Sequence, residues 1–196
     1  RIARRQRQMC IRDSYILDAF RENKQILKNP ECTVHDIGDG VMCIEFQTKG
    51  NSIGEGVAKG INEAIDIAER DGWNGIVIGN NDKQFSVGAN LMNMGMMAMQ
   101  KNFDAIEEFL VDFQKILMRM RTCNVPVVSA THGFVMGGGL EVSIHCDAGI
   151  HASESYIGLV EAGVGLIPGG GGTKEMAMRA SDSFNSGDVK MPSLID

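Results

Sequence analysis

Paired cysteines, long apolar runs and a surplus of positive charge are all missing from these 196 residues. The five cysteines (10, 32, 43, 123 and 146) are odd in number and form no C-x-x-C pair. That excludes a disulfide framework, and His145 beside Cys146 lacks a second ligand pair at zinc spacing, so no metal site is expected. Free thiols in a reducing compartment follow, and with them a cytoplasmic location. No stretch of 18 apolar residues occurs, which excludes a membrane-spanning helix of ordinary length. A secretory pattern of charged start and apolar core is also absent. Net charge is −6, and Arg1, Arg4, Arg5, Arg7 and Arg12 sit in an acid-free start, leaving 14 bases against 25 acids in the remainder. So acidic a body argues against a nucleic-acid groove, while a local basic patch for a phosphate-bearing ligand stays open.

Glycine, by contrast, is abundant at 24 residues, which points to many special backbone positions. The chain opens on Arg, not Met, and so reads as a piece of a longer one. Residues 1–13 read as a non-native or unstructured basic segment, and 14–32 as a linker, either helix or tail, ended by Pro30. Residues 33–196 carry the folded pattern. Apolar strands are expected at Val41–Phe46, Gly75–Gly79 and Val125–Ala130, with a fourth candidate at Asp147–Ala152. Helical spacing runs through Val57, Ile61, Ile65 and Ala68 and again from Phe103 to Met120, and Lys174–Arg179 starts another helix. Such alternation implies right-handed βαβ units and a largely parallel sheet, an α/β fold.

Several glycine motifs compete. Gly54-Glu-Gly-Val-Ala-Lys-Gly60 approaches a dinucleotide fingerprint, but its third glycine is one position late and the run lies too far beyond Phe46. Gly50-Asn-Ser-Ile-Gly54 matches the nucleophile-elbow pattern, with His132, His145 and His151 downstream, yet the turn is loose and no oxyanion segment precedes it. Gly169–Gly172 could hold phosphate at a helix start or make a tight turn into that helix.

The most informative run is His132-Gly-Phe-Val-Met-Gly-Gly-Gly-Leu-Glu-Val142. Glycines at a strand-to-helix turn leave N–H groups free and let a ligand approach the main chain. Glu141 falls one helical turn after Gly138, so a donor and an acid/base group can share a face. Taken alone, the run fits equally well a close helix–sheet contact with Glu141 facing solvent. Two further stretches weigh in. Phe85-Ser-Val-Gly-Ala-Asn-Leu91 offers a second donor at Ala89, and Glu161 stands among small and apolar residues, a setting that raises a carboxyl pKa.

Phe85–Leu91, Gly137-Gly-Gly-Leu-Glu141, and Glu161 followed by Gly165-Leu-Ile-Pro-Gly-Gly-Gly-Gly-Thr173 resemble, in order and spacing, the enoyl-CoA hydratase/isomerase (crotonase) superfamily. The likeness covers roughly residues 33–180 and is strongest to the hydratase part of bacterial 3-hydroxyacyl-CoA dehydrogenase fusions. It implies a ClpP/crotonase-like spiral of repeated ββα units with flanking helices, the family's C-terminal helices being missing from this chain. By position, Ala89 and Gly138 would form the oxyanion hole, and Glu141 and Glu161 would be the catalytic pair; sequence leaves open which is acid and which is base, and the less polar surroundings of Glu161 favour it as the acid. Lys49, Asn51, Ser52 and Ile53, with Gly88, Asn90, Leu91 and Gly137, would contact the acyl-CoA substrate. Asn90 stands where many members have Asp, and Val160 where proline is common. The implied reaction is hydration of trans-2-enoyl-CoA in fatty-acid β-oxidation, with no cofactor of its own; NAD enters only through an upstream dehydrogenase domain. Enoyl isomerisation, acyl-CoA hydrolysis and a non-enzymatic assembly module are the alternatives, and a trimer-based homo-oligomer or covalently fused dehydrogenase domains are the implied partners. The methionine-rich Leu91–Met99 run would border either an acyl chain or the ordinary core.

Overall fold

The computed structural model describes Leu17 and residues 24–185. Expectations for residues 1–13 therefore lie outside the described residues. Eight strands and five α-helices follow in order: β1 (Gln25–Lys28), β2 (Cys32–Gly38), β3 (Val41–Phe46), α1 (Glu55–Asp71), β4 (Gly75–Gly79), α2 (Leu91–Met99), α3 (Phe103–Thr122), β5 (Val127–Thr131), β6 (Phe134–Met136), α4 (Gly138–Ile144), β7 (Ala148–His151), β8 (Tyr156–Gly158) and α5 (Gly172–Asn185). The main sheet runs β1-β2-β3-β4-β5-β7, and β6 pairs with β8 in a second, small sheet. β3, β4, β5 and β7 are parallel; β1 and β2 add on antiparallel. The sheet is thus parallel in its centre and mixed overall.

Residues 25–28 form a strand, and β2 begins at Cys32, so the expected linker already contributes sheet. Its edge position explains the polar look: β1 buries neither end residue, and one outer strand needs little apolar sequence. β5 starts at Val127 and not at Val125, because Pro126 has no N–H to enter the ladder. Its carbonyl still accepts Ile76 N–H at 2.9 Å.

One face of the sheet builds the core. Val34, Ile44 and Ile78 lie side by side across three strands, as do Met42, Ile76 and Val127. Against them pack Val57, Ile61, Ala64, Ile65 and Ala68 of α1 and Phe113, Leu117 and Met120 of α3. At roughly 25 cal/mol for each Å² of apolar surface removed from water, this two-layer contact is the main stabilising term.

The glycine run at 54–60 belongs to this packing. A Cβ at Gly60 would come within 2.5 Å of Cys32 Sγ, and one at Gly56 within 2.9 Å of Glu31 Cβ. Glu31 Oε2 accepts Gly56 N–H at 2.9 Å, taking up a free donor at the start of α1. A side chain occupies the place a pyrophosphate would need.

Candidate active site

The parallel strands β3, β4 and β5 send their carboxyl ends to one edge, where an open α/β sheet leaves a crevice. Three loops meet there. The loop after β4 is tied down by Asn80, whose Oδ1 accepts Phe46 N–H at 2.7 Å and whose Nδ2 donates to Phe85 O at 2.6 Å. Asn51 Nδ2 donates to Gln84 O at 2.9 Å, and Ser86 Oγ donates to Asn51 O at 2.7 Å. Ile53 N–H reaches Gly88 O at 2.8 Å, and Asn90 N–H reaches Ile53 O at 3.0 Å. Ala89, between those two bonds, donates its own N–H to no acceptor among the described residues.

The second loop joins β6 to α4. Gly137 takes φ +51°, donates to Gly158 O at 2.9 Å and starts α4 at Gly138. As the first helical residue, Gly138 has no carbonyl behind it to receive its N–H. The two free donors are close: a Cβ placed on Gly138 would sit 3.4 Å from Ala89 N. One placed on Gly88 would fall 3.2 Å from Gly138 N, so glycine is needed where the chains cross.

Glu141 is 2% exposed and its Oε1 accepts N–H from both Gly170 and Gly172 at 2.8 Å. Burial raises its carboxyl pKa, the two N–H bonds pull it back, and the nearby Glu161 charge raises it again. Glu161 opens a short 3-10 turn to Val164, and its Oε2 is buried without a hydrogen-bond partner among the described residues. Its Oε1 lies 3.0 Å from where a Gly137 Cβ would be. Of the two carboxyls, Glu141 is the deeper.

Ala89, Gly138, Glu141 and Glu161 line one cleft of about 730 Å³. Gly88, Leu91 and Gly137 line it too, and apart from Gln114 its remaining wall carries no polar side chain, with Met94, Phe109 and Phe113 prominent. Asn90 and Ile53 face a smaller neighbouring cavity of about 330 Å³ that shares Met94, Ile106, Phe109 and Phe113 with the cleft. Lys49, Asn51 and Ser52 line neither; Lys49 is exposed, and Asn51 uses its amide to hold the Gln84 carbonyl. No residue of α2 is buried, so the methionine run is not core; Met94 lines both cavities, Met97 only the smaller.

The nucleophile-elbow reading fails on geometry. His132 bonds Asp82 O, His145 bonds Glu141 O and His151 bonds Thr131 Oγ1, and none pairs with Ser52. The four described cysteines are free, and burial pushes the thiols of Cys32, Cys43 and Cys146 up to about 12, which leaves those three inert. No group able to hold a metal is found among the described residues. No described helix is long and apolar enough to cross a membrane.

What sequence reasoning missed is the grip on Glu141. Gly169–Gly172 does turn the chain into α5, with Gly171 at φ +94°, but two of its N–H groups hold a carboxylate of the chain itself where the sequence suggests a phosphate. A Cβ at Gly170 would come within 2.6 Å of Glu141 Oε2, and one at Gly172 within 3.0 Å of Oε1. A signal was present: four consecutive glycines after a proline leave several donors uncovered.

A family model described as enoyl-CoA hydratase/isomerase matches residues 36–186. The chain belongs to this family. A Bacillus subtilis protein named probable 3-hydroxyacyl-CoA dehydrogenase is 41% identical over 175 residues, covering 87% of this chain and 22% of that protein. A crotonyl-CoA hydratase of Syntrophomonas wolfei is 37% identical over 103 residues, 52% of this chain and 37% of its own length. The chain thus spans about a fifth to two-fifths of the curated relatives it matches. Among solved structures, an enoyl-CoA hydratase from Polaromonas superposes with a TM-score of 0.71 at 22% identity, over 75% of this chain and 58% of that one, and shares the crotonase fold.

Proposed function

We propose that this chain hydrates trans-2-enoyl-CoA thioesters to 3-hydroxyacyl-CoA. One observation carries the reading: two N–H groups without acceptors among the described residues and two carboxyls line the same largely apolar cleft. As water adds at the β-carbon, charge moves onto the thioester oxygen, where Ala89 and Gly138 N–H receive it. A preorganised donor of this kind supplies about 3–4 kcal/mol to the barrier reduction. Glu141 takes the proton from water. Its Oε1 is held by two donors that favour the ionised form, while burial keeps the group basic enough to accept a proton. Glu161 delivers the proton to the α-carbon; its Oε2 has no hydrogen-bond partner among the described residues, so no protein group competes for that oxygen. A double-bond shift can proceed with one carboxylate, so two in one cleft favour hydration, and an assembly module would need neither.

The setting proposed with it is a cytoplasmic multifunctional protein of fatty-acid β-oxidation in which an upstream dehydrogenase would bring NAD; the Bacillus subtilis relative's name supports the dehydrogenase part. Such a protein would complete the cleft with further chain or as a trimer-based homo-oligomer. Crotonyl-CoA hydration in the full-length protein tests the chemistry. Glu141→Gln and Glu161→Gln should each lower kcat ~1000-fold, within the range of lost acid–base catalysis. Near-normal turnover by either variant would overturn the two-carboxylate assignment.

A further inference from the structure

Behind Glu141 lies a second acidic residue that the proposed chemistry does not use. Glu175, in the first turn of α5, is 2% exposed, yet an acid in that position is favoured by the helix dipole alone and needs no burial. Arg121, at the end of α3, grips it bidentately, Nη1 to Oε1 at 2.8 Å and Nη2 to Oε2 at 2.5 Å. Lys174 Nζ lies 2.8 Å from the same Oε1. Arg121 Nη2 also reaches Ile144 O at 3.4 Å, and Arg179 Nη2 donates to that carbonyl at 2.6 Å, so the last turn of α4 is capped by both arginines. His145 closes the arrangement: Nδ1–H donates to Glu141 O at 2.7 Å, and Nε2 lies 3.7 Å from Glu175 Oε1.

The contacts form a ring. Glu175 N–H bonds Gly171 O at 3.0 Å, so the ion pair and the Gly170 and Gly172 donors belong to one turn of chain. From there the ring runs through Arg121 to the carboxyl end of α4, along α4 to Glu141, and back to the glycines. Buried ion pairs seldom stabilise more than apolar packing of the same volume. This one ties α5 to the end of α3 and, through Arg121 Nη2 on Ile144 O, to the carboxyl end of α4.

We infer that the Arg121–Glu175 pair is a positioning device for Glu141, holding α5 against α4 so that Gly170 and Gly172 keep their N–H groups on Glu141 Oε1. The inference rests on the acid–base reading of Glu141 given above. Losing the pair loosens those donors. The ionised carboxylate then loses stabilisation, its pKa rises, and the pH limb of kcat governed by Glu141 moves to higher pH. Glu161 is the other titratable group acting on Glu141, and it is left in place by the variants below.

The experiment compares Glu175→Gln, Arg121→Ala, the double variant and Glu141→Gln in the full-length protein, with crotonyl-CoA hydration followed from about pH 5 to about pH 10. Each single variant should lower kcat ~10-fold with KM nearly unchanged, the scale expected of a small misplacement. The limb should move upward, and the double variant should be no worse than the poorer single one. If Glu175→Gln does not fold, Arg121→Lys, which keeps the charge but loses the paired donors, reads the same limb. A fall in thermal midpoint with kcat and pH profile unchanged would overturn the positioning role. Retained hydration by Glu141→Gln would instead sink the acid–base reading beneath it.

Discussion

Glu141 and Glu161 face the same cleft but are built into opposite kinds of surroundings. Glu141 comes from a helix, is nearly sealed from water and has one oxygen saturated by two main-chain donors. Glu161 comes from a single 3-10 turn, is only half-buried and keeps one oxygen without a partner among the described residues. A site that moves a proton in at one atom and out at another needs two groups with different demands. Identical surroundings would give two carboxyls competing for one proton. On the proposed reading, the contrast in support, more than the presence of two acids, would suit the cleft to addition of water.

The comparison can be broken from either side. Among changes that leave both carboxyls in place, the largest effect should come from crowding each one separately. Gly170→Ala puts a methyl within 2.6 Å of Glu141 Oε2 and 2.7 Å of Phe113 Cε1, and kcat should fall ~100-fold. Gly137→Ala crowds Glu161 Oε1 at 3.0 Å and strains a φ of +51°, with a comparable loss. A Gly170→Ala enzyme with unaltered kcat would show that the glycine grip is not needed.

Next in size is stability. Because burial raises the Glu141 pKa, the folded state holds that proton more tightly than the unfolded chain does. The resulting stabilisation is full below the unfolded pKa and is lost as pH rises through the folded one. At neutral pH, Glu141→Gln should therefore be more stable than wild type by about 1 kcal/mol while inactive, as functional-site variants often are. A lower thermal midpoint at pH 7 would contradict this. Glu175 runs the other way, held down to about 2 by Arg121. Its contribution is present above the unfolded carboxyl value and is lost as pH falls toward 2. Glu175→Gln should flatten the acid side of the thermal-midpoint profile, measured by calorimetry between about pH 5 and about pH 2.

The smallest effect concerns the cleft wall. Met94→Ala should change the ratio of kcat/KM for octenoyl-CoA over crotonyl-CoA by ~5-fold, because Met94 lines the cleft. Met97→Ala, which reaches only the smaller cavity, should change it less. Equal shifts in both variants would remove the distinction between the two cavities.

Much of this was legible in the chain. β3 and β4 coincide with the apolar runs at 41–46 and 75–79, and α3 begins at Phe103, where the period of three and four begins. Buried parallel strands and a long amphipathic helix announce themselves locally. β2 does not: Cys32-Thr-Val-His-Asp-Ile-Gly38 alternates apolar with polar residues, and its His35 is fully buried beside Glu45 at 3.2 Å. A buried polar pair looks like surface until its partner strand is in place. Ala89, Gly138, Glu141 and Glu161 could be picked out because each sits in an unusual local setting. Arg121 and Glu175 could not, since 54 residues separate them and neither is unusual where it stands.

The grip on Glu141 is made of main chain. Every residue except proline has the N–H it uses, so no substitution short of proline removes the donors themselves. Variation can spoil the arrangement only by adding bulk beside it, or by inserting or deleting a residue and changing which donors arrive. The segment that looks most expendable, a plain run of glycines, should tolerate changes of length least.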